Sequence, residues 1–517
     1  MKRRGAILIL AGLAAYFTLL ALLVAAERGE AQTGIRSFGD AIWYSLVTLT
    51  TVGYGDLVPQ SPAGRIVGTV FVLTSVGVLA AFFNAAFTFL RSRTVPAIRL
   101  SALRRNKCYL FSELNESSET LARDLIRSDP AACAVFCRTS EDRKPAGAPF
   151  RPRRTFCFSE DISDILSRTG GQGGKTCFLT GENASDNLAE ARKLQKTRAE
   201  ICCIGTETDE LPDVRFFRAA SCTARAYWQK WPIRPEERTV LIAGDGELAR
   251  EFLSEALLIN CRVPFQSASY HVFGSWDAYR RLHPELLRAF GRESAGDRLV
   301  FHAGAWNESP ELPSLADRVI FCGESEEKNR EAAESLIRYY PFRGRAFAAA
   351  QDAAAPVTAF GKPAEVFTGS SVLRSGLDRR ARMLHTLYCR ETGGGPRWEE
   401  LSPFLKASNR ASADHLMTKV RLLLPERDVR ELTPEILKEA AERWEKAEDR
   451  EAFRRNEHER WMRFHLMYNW RRGSERSSAE RTHPCLAPYE ELSPEDREKD
   501  DNAWIQIGML KEEGARE

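Results

Sequence analysis

The apolar residues crowd into the first ninety positions. Gly5 to Ala26 is uncharged and mostly apolar. At ~1.5 Å per residue it would reach about 33 Å, enough to cross a bilayer. Ile66 to Leu90 is a second such run, with only Asn84 strongly polar. After Leu90 no stretch of similar length lacks charge. The pattern predicts two membrane spans and a large polar remainder. Lys2, Arg3 and Arg4 before the first span, and Arg91 and Arg93 after the second, predict that both termini are cytoplasmic. A signal peptide would also begin this way, but the second span following closely argues against it. No helix repeats arginine, so no voltage sensor is expected. Between the spans, Ser37–Thr51 reads as an amphipathic, aromatic-rich helix too short to cross.

Beyond residue 91 short apolar runs alternate with helical segments. Cys108–Phe111, Cys133–Cys137, Thr155–Phe158, Cys177–Leu179 and Ile201–Ile204 read as strands, and Glu116–Ser128 as a helix with Leu121, Leu125 and Ile126 on one side. The pattern then restarts with a strand at Thr239–Ala243, a helix at Glu247–Leu258 and a strand at Arg318–Cys322. Gly181 to Asn187 follows its strand as Gly323 to Asn329 follows its own. This is an internal repeat of roughly 130 residues, and it predicts parallel sheets covered on both faces. Residues 381–450 change to helical spacing, and the charged run Glu435–Arg450 reads as a solvated helix face.

Composition narrows the classes. A chain of 517 residues exceeds one core at ~100–200 residues per domain, so three to four domains are expected. Apolar residues make 43% and charged ones 28%, which excludes a disordered chain. The mean hydropathy of −0.35 excludes a polytopic membrane protein. A net charge of +3 gives no reason to expect nucleic acid as a partner. The 12 cysteines are scattered without a paired zinc spacing, so buried reduced thiols are expected and no metal site.

The sharpest chemistry follows the short helix: Thr51-Val52-Gly53-Tyr54-Gly55-Asp56. Backbone carbonyls must replace the hydration shell of a passing ion. Gly53 and Gly55 can take the positive φ that aligns successive carbonyls, and Thr51 adds a hydroxyl. The order span, re-entrant helix, TVGYGD, span resembles the pore of two-helix prokaryotic potassium channels. The resemblance implies a filter at Thr51, Val52, Gly53, Tyr54 and Gly55 holding K+ ions, and four chains around one pore. It also implies a gating hinge near Ser75, where many members have glycine, with Gly77 two residues on.

The turn Gly244-Asp-Gly-Glu-Leu-Ala249 joins a strand to a helix in the context of a phosphate-binding loop. The following strand, read as Ala268–Phe273, ends without the acid that would bind a ribose. Gly244, Gly246 and Ala249 are therefore candidates for a nucleotide or phosphate, with tight packing as the competing reading. In the first repeat Ser112 and Glu113 stand where glycines would be, so that turn reads as structural. The paired blocks resemble tandem RCK domains, the Rossmann-like (TrkA-N-like) regulators of potassium conductance.

The last segment carries Asn456-Glu-His-Glu-Arg-Trp461, Tyr468-Asn-Trp470 and His483-Pro-Cys-Leu-Ala-Pro-Tyr489. These elements resemble the RyR domain, the ryanodine-receptor repeat, with Asn469 replacing the glycine usual before the tryptophan. His458, Trp461, Arg463, Trp470, His483 and Tyr489 are candidates for an aromatic, basic pocket suited to a base plus phosphate.

The expected architecture is multidomain. An α-helical pore occupies 1–95, two α/β Rossmann-like RCK domains 105–235 and 236–380, a helical connector 381–430, and a mainly α-helical RyR domain 431–517. The expected function is a potassium channel of the cell (inner) membrane, a homotetramer with an RCK gating ring below the pore. A small nucleotide-like ligand would gate it. The alternative is the regulatory nucleotide-binding subunit of a TrkA-like transport system, which the TVGYGD element and the two spans argue against. With no ribose acid and no apparent base, no enzyme, catalytic residue or enzymatic cofactor is expected.

Overall fold

In the computed structural model the described residues are 2–49, 52–89, 103–104, 106–139, 145, 147–151, 154–169, 174–181, 183–205, 211–291, 296–309, 311–391 and 393–514. The chain forms two compact units, 1–105 and 106–517.

The first unit holds three helices, Lys2–Glu27, Phe38–Leu49 and Pro62–Phe89. The outer two are 26 and 28 residues long. Many of their side chains lie outside the described set, and among the described residues no helix is long and apolar enough to cross a membrane. Leu20, Leu23 and Val24 pack with Ile35 and Ala41 between the first two helices. The buried carboxylate of Glu27 ties the first helix to the start of the third. It accepts from Gln60 N (3.0 Å), Ser61 N (3.0 Å) and Ser61 Oγ (2.9 Å). Gly64 has to lack a side chain here, because a Cβ would sit 1.8 Å from Glu27 Oε1.

The second unit opens with two six-stranded parallel sheets. Strands β1 Cys108–Phe111, β2 Cys133–Phe136, β3 Thr155–Cys157, β4 Lys175–Leu179, β5 Glu200–Ile204 and β6 Val214–Phe217 lie in the order β3-β2-β1-β4-β5-β6. Strands β7 Thr239–Ala243, β8 Ser269–Phe273, β9 Arg298–His302, β10 Arg318–Phe321, β11 Arg345–Ala349 and β12 Thr358–Phe360 repeat it as β9-β8-β7-β10-β11-β12. This is the Rossmann order, with the reversal of direction between the first and fourth strands. The repeat extends to side chains. Asn187 Oδ1 accepts from Gly181 N at 3.0 Å, and its Nδ2 donates to the carbonyls of Gly181 (2.8 Å) and Ile204 (3.3 Å). Asn329 does the same with Gly323 N (2.8 Å), Gly323 O (2.9 Å) and Ala349 O (3.0 Å). Each asparagine fastens the turn after the fourth strand to the end of the fifth. The cysteines in the strands of the first sheet are buried free thiols.

The two repeats exchange elements. Helix Ala219–Lys230 follows β6 but packs on helix Glu247–Ile259, and its Tyr227 and Trp228 enter the core of the second sheet. Residues 363–374 follow β12 and return to helix Glu116–Ser128, adding Val366 and Val372 to the first core. There Gly369 N donates to Asp124 Oδ2 at 2.8 Å. The two cores thus exchange elements across the chain boundary expected at 235.

After the second sheet and its returning segment come the α-helices Arg379–Glu391, Pro403–Asp414, Leu416–Leu423, Pro434–Glu445, Arg450–Met467, Pro494–Glu498 and Asn502–Gly514. Leu416, Val420 and Leu423 of the connector share one core with Leu437, Trp444, Trp504 and Ile507. Connector and C-terminal segment are therefore one packed body, where the sequence predicts two modules.

Candidate filter and ligand site

Helix Phe38–Leu49 delivers the chain to Val52 with Gly53 at φ +59° and Gly55 at φ +74°. Both glycines hold the left-handed conformation that turns their carbonyls into line with their neighbours'. A Cβ at either would meet nothing within 4 Å, so conformation rather than space demands glycine. Val52 N and Gly53 N both donate to Val47 O, at 3.1 and 3.2 Å. Trp43 Nε1 donates to Asp56 Oδ2 at 2.9 Å, and its ring stacks over Tyr54 at 6.4 Å and 7°. Helix Phe38–Leu49 thereby holds the segment at both ends. Thr51 lies outside the described residues. Ser75 and Gly77 lie on helix Pro62–Phe89, with side chains outside the described set. Removing the Trp43 donor with Trp43→Phe gives up a charge-assisted hydrogen bond worth about 1.5–3 kcal/mol. The expected result is a several-fold fall in the K+/Na+ flux ratio in liposomes.

At the glycine turn the structure shows crowding. Gly244 has φ +151°, and a Cβ there would lie 2.7 Å from Gly323 N. A Cβ on Gly246 would lie 2.8 Å from Glu324 Cγ, and one on Gly274 2.9 Å from Asp245 Cβ. Ala249 is fully buried. Asp245, Glu247 and Glu324 surround the start of helix Glu247–Ile259. Their charge opposes an anion where the helix dipole would favour one.

The C-terminal candidates divide over two faces of helix Arg450–Met467. His458, Trp461 and His465 follow one another at helical spacing on one face. Trp461 lies 5.8 Å from His458, 4.1 Å from His465 and 4.9 Å from His483, centroid to centroid. Trp470 joins through His465 (5.3 Å), and Tyr489 lies 5.8 Å from His458. His458 Nε2 donates to Ala487 O at 2.9 Å, and His465 Nδ1 to Trp461 O at 2.9 Å. Burial holds all three imidazoles below the usual histidine range, His465 down to about 4. At neutral pH the group is aromatic and uncharged. The ring of Trp461 is half-buried, with Arg476 and Lys499 close enough to act on His483.

Arg463 does not belong to this group. Two residues past Trp461, it points to the opposite side of the helix. It is buried against the second Rossmann-like domain, with Nη1 2.7 Å from Asp297 Oδ2 and Nε 2.9 Å from Glu459 Oε1. Sequence reasoning missed Phe404, which stacks on Trp470 at 5.2 Å and 20°. It also missed His465, which the four-residue spacing from Trp461 could have flagged. Asn469 sits at φ +58°, so asparagine supplies the left-handed turn that glycine gives in the RyR pattern. Among the described residues no cluster of potential metal ligands occurs.

Residues 6–92 match the ion channel family, and residues 442–511 match the RyR domain family. A voltage-gated potassium channel of Aeropyrum pernix is 43% identical over 53 residues, 10% of this chain and 18% of that protein. The Shal potassium channel of Drosophila melanogaster is 49% identical over 55 residues, 11% of this chain and 10% of that one. The chain thus spans under a fifth of the length of these curated relatives. Among solved structures the GsuK channel overlaps 72% of this chain and 84% of its own, with 13% identity and a loose TM-score of 0.39. The chain is thus similar to the ion channel family over residues 6–92 and to the RyR domain family over residues 442–511, and between these stretches it carries two Rossmann-like domains.

Proposed function

We propose that the chain is a potassium-selective channel gated by a small cytoplasmic ligand, with two membrane spans, both termini in the cytoplasm and four copies around one pore. The observation that carries this reading is the pair Gly53 and Gly55 at positive φ, fixed between Val47 and the Trp43–Asp56 hydrogen bond. One chain supplies one wall of a filter, and four identical walls give a closed fourfold ring. The eight Rossmann-like domains of such a tetramer would form a gating ring beneath it. Purified full-length protein in liposomes should take up K+ or Rb+ and exclude Na+. Equal uptake of both would sink the reading.

The ligand reading rests on the half-buried ring of Trp461 among neutral imidazoles, an aromatic group suited to stacking a planar base. Arg476 and Lys499 offer charge for a phosphate nearby. Gly244, Gly246 and Ala249 support a ligand less well, because packing against Cys322–Glu324 accounts for them. ADP at 100 times its dissociation constant stabilises its binder by about 2.7 kcal/mol. It should raise the melting temperature of the full chain and leave that of Trp461→Ala unmoved. An equal rise in both proteins would remove Trp461 from the site.

A further inference from the structure

One end of the first sheet brings two thiols and a cation into a row. Cys108 opens β1, Cys133 opens β2 and Lys175 opens β4. The ladder sets Cys108 directly opposite Cys133 on one side and Lys175 on the other. Directly paired residues of parallel strands share a face of the sheet, so the three side chains stand side by side. Both cysteines are 1% exposed, and Lys175 is 3% exposed. Lys175 Nζ donates to Cys108 Sγ at 3.5 Å and to Asn106 O at 2.7 Å. The two thiols hydrogen-bond each other, and Arg154, just before β3, lies beside Cys133.

The second repeat shows that the fold does not ask for these thiols. Val240 and Tyr270 hold the places of Cys108 and Cys133, and Arg318 holds that of Lys175. Arg318 lies against the Glu237 carboxylate at 2.6 Å. The first repeat has a thiol, Cys108, beside its buried cation.

We propose that Cys108 and Cys133 are a peroxide-reactive dithiol that closes reversibly to a disulfide.

The step balances with hydrogen peroxide as the oxidant. The Cys133 thiolate attacks one peroxide oxygen and the O–O bond breaks. The sulfur becomes a sulfenic acid, and the second oxygen takes a proton and leaves as water. Cys108 Sγ then attacks the Cys133 sulfur and expels its oxygen as a second water, giving up its own proton. Two thiols are oxidised to one disulfide, and one peroxide is reduced to two waters.

The surroundings suit each part. A thiolate is the nucleophile, and cations beside it favour it. The hydrogen bond from Cys108, with Arg154 and Lys175 adding positive charge, brings the Cys133 thiol down to about 7 against the rise that burial gives. Burial holds Cys177 and Cys202, deeper in the same sheet, well up. Neighbouring strands stand about 4.8 Å apart, inside the Cα range that a disulfide spans. Closure draws the two Cβ atoms together by about 1 Å, a misfit that keeps the bond reducible. Both cysteines begin their strands, where the ladder ends and such a shift costs least. Lys107, next to Cys108 in the chain, is half-exposed, so a small oxidant has one residue's depth to cross.

The test treats full-length protein in detergent micelles with hydrogen peroxide at pH 7, alkylates the remaining thiols and reads the peptides by mass spectrometry. The expected product joins the peptides of Cys108 and Cys133, two hydrogens lighter than the free pair, and dithiothreitol opens it. It should form at least about tenfold faster than Cys177 or Cys202 is oxidised. Trypsin leaves Cys137 on the same peptide as Cys133, so fragmentation must place the bond. Cys108→Ser keeps a hydrogen-bond donor beside Cys133 but cannot close, and its Cys133 should stop as a sulfenic acid that dimedone captures. No bond between the pair, a bond at Cys137 instead, or oxidation no faster than at Cys177 and Cys202 overturns the proposal.

Discussion

Gly53→Ala should abolish selective potassium flux while leaving the rest of the chain folded. The expectation comes from the backbone. Gly53 sits at φ +59°, and alanine there costs about 1–2 kcal/mol. Nothing lies within 4 Å of the added Cβ, so the strain is conformational and can be relieved only by turning the peptide. Turning the peptide takes the carbonyl out of the line the ion follows. In the proposed tetramer four copies line one filter, so the strain sums to about 4–8 kcal/mol, several times the 1.4 kcal/mol that changes a rate tenfold. Gly29, at φ +101° in the loop after the first helix and also with nothing near its Cβ, provides the control. Gly29→Ala carries comparable strain outside the filter and should keep the K+/Na+ flux ratio. The measurement is Rb+ uptake into liposomes for all three proteins. Wild-type selectivity in Gly53→Ala would remove the filter assignment.

The positive-φ turn at Gly53 and Gly55 was legible in the sequence because its constraint is local. Two glycines two positions apart signal the two positive φ values, and the Trp43–Asp56 hydrogen bond spans only 13 positions. The repeat was legible for the same reason. In each repeat the asparagine that fastens the turn after the fourth strand lies six residues beyond the turn's glycine. What the sequence hid is long-range and polar. Arg225, Arg318 and Arg463 are all buried, against partners 81 to 189 positions away. A reading built on apolar periodicity assigns such residues to the surface. Helix Arg450–Met467 shows why: its face toward the second Rossmann-like domain carries Asn456, Arg463 and Met467. Asn456 Nδ2 donates to Cys261 O (3.0 Å) and Val263 O (2.8 Å), closing the end of helix Glu247–Ile259. Two faces of one helix thus do different work, and composition cannot tell which is which.

That division sets the second large effect. Arg463→Ala should destabilise the second unit, and Trp461→Ala should not. Arg463 and Asp297 have side chains 2% and 1% exposed, so removing the guanidinium strands a carboxylate away from water. Breaking a buried pair from one side costs about 3–5 kcal/mol, a large share of the ~5–15 kcal/mol that holds a domain together. Asp297 also accepts from Ala268 N at 2.7 Å, and Arg463 lies 5.2 Å from the Phe290 ring and donates to Leu257 O, so the damage reaches both Rossmann-side elements. Truncating both charges together, as Arg463→Met with Asp297→Asn, should recover much of the loss because no unpaired charge remains. Deleting residues 431–517 removes six of the 17 buried residues of the core that Leu416, Val420 and Leu423 share, Trp444 and Trp504 among them, and it should yield aggregated protein rather than a ligand-insensitive channel. Thermal melts of the full-length proteins decide the matter. If Arg463→Ala melts with the wild type while Trp461→Ala melts several degrees lower, the two faces have been assigned the wrong way round.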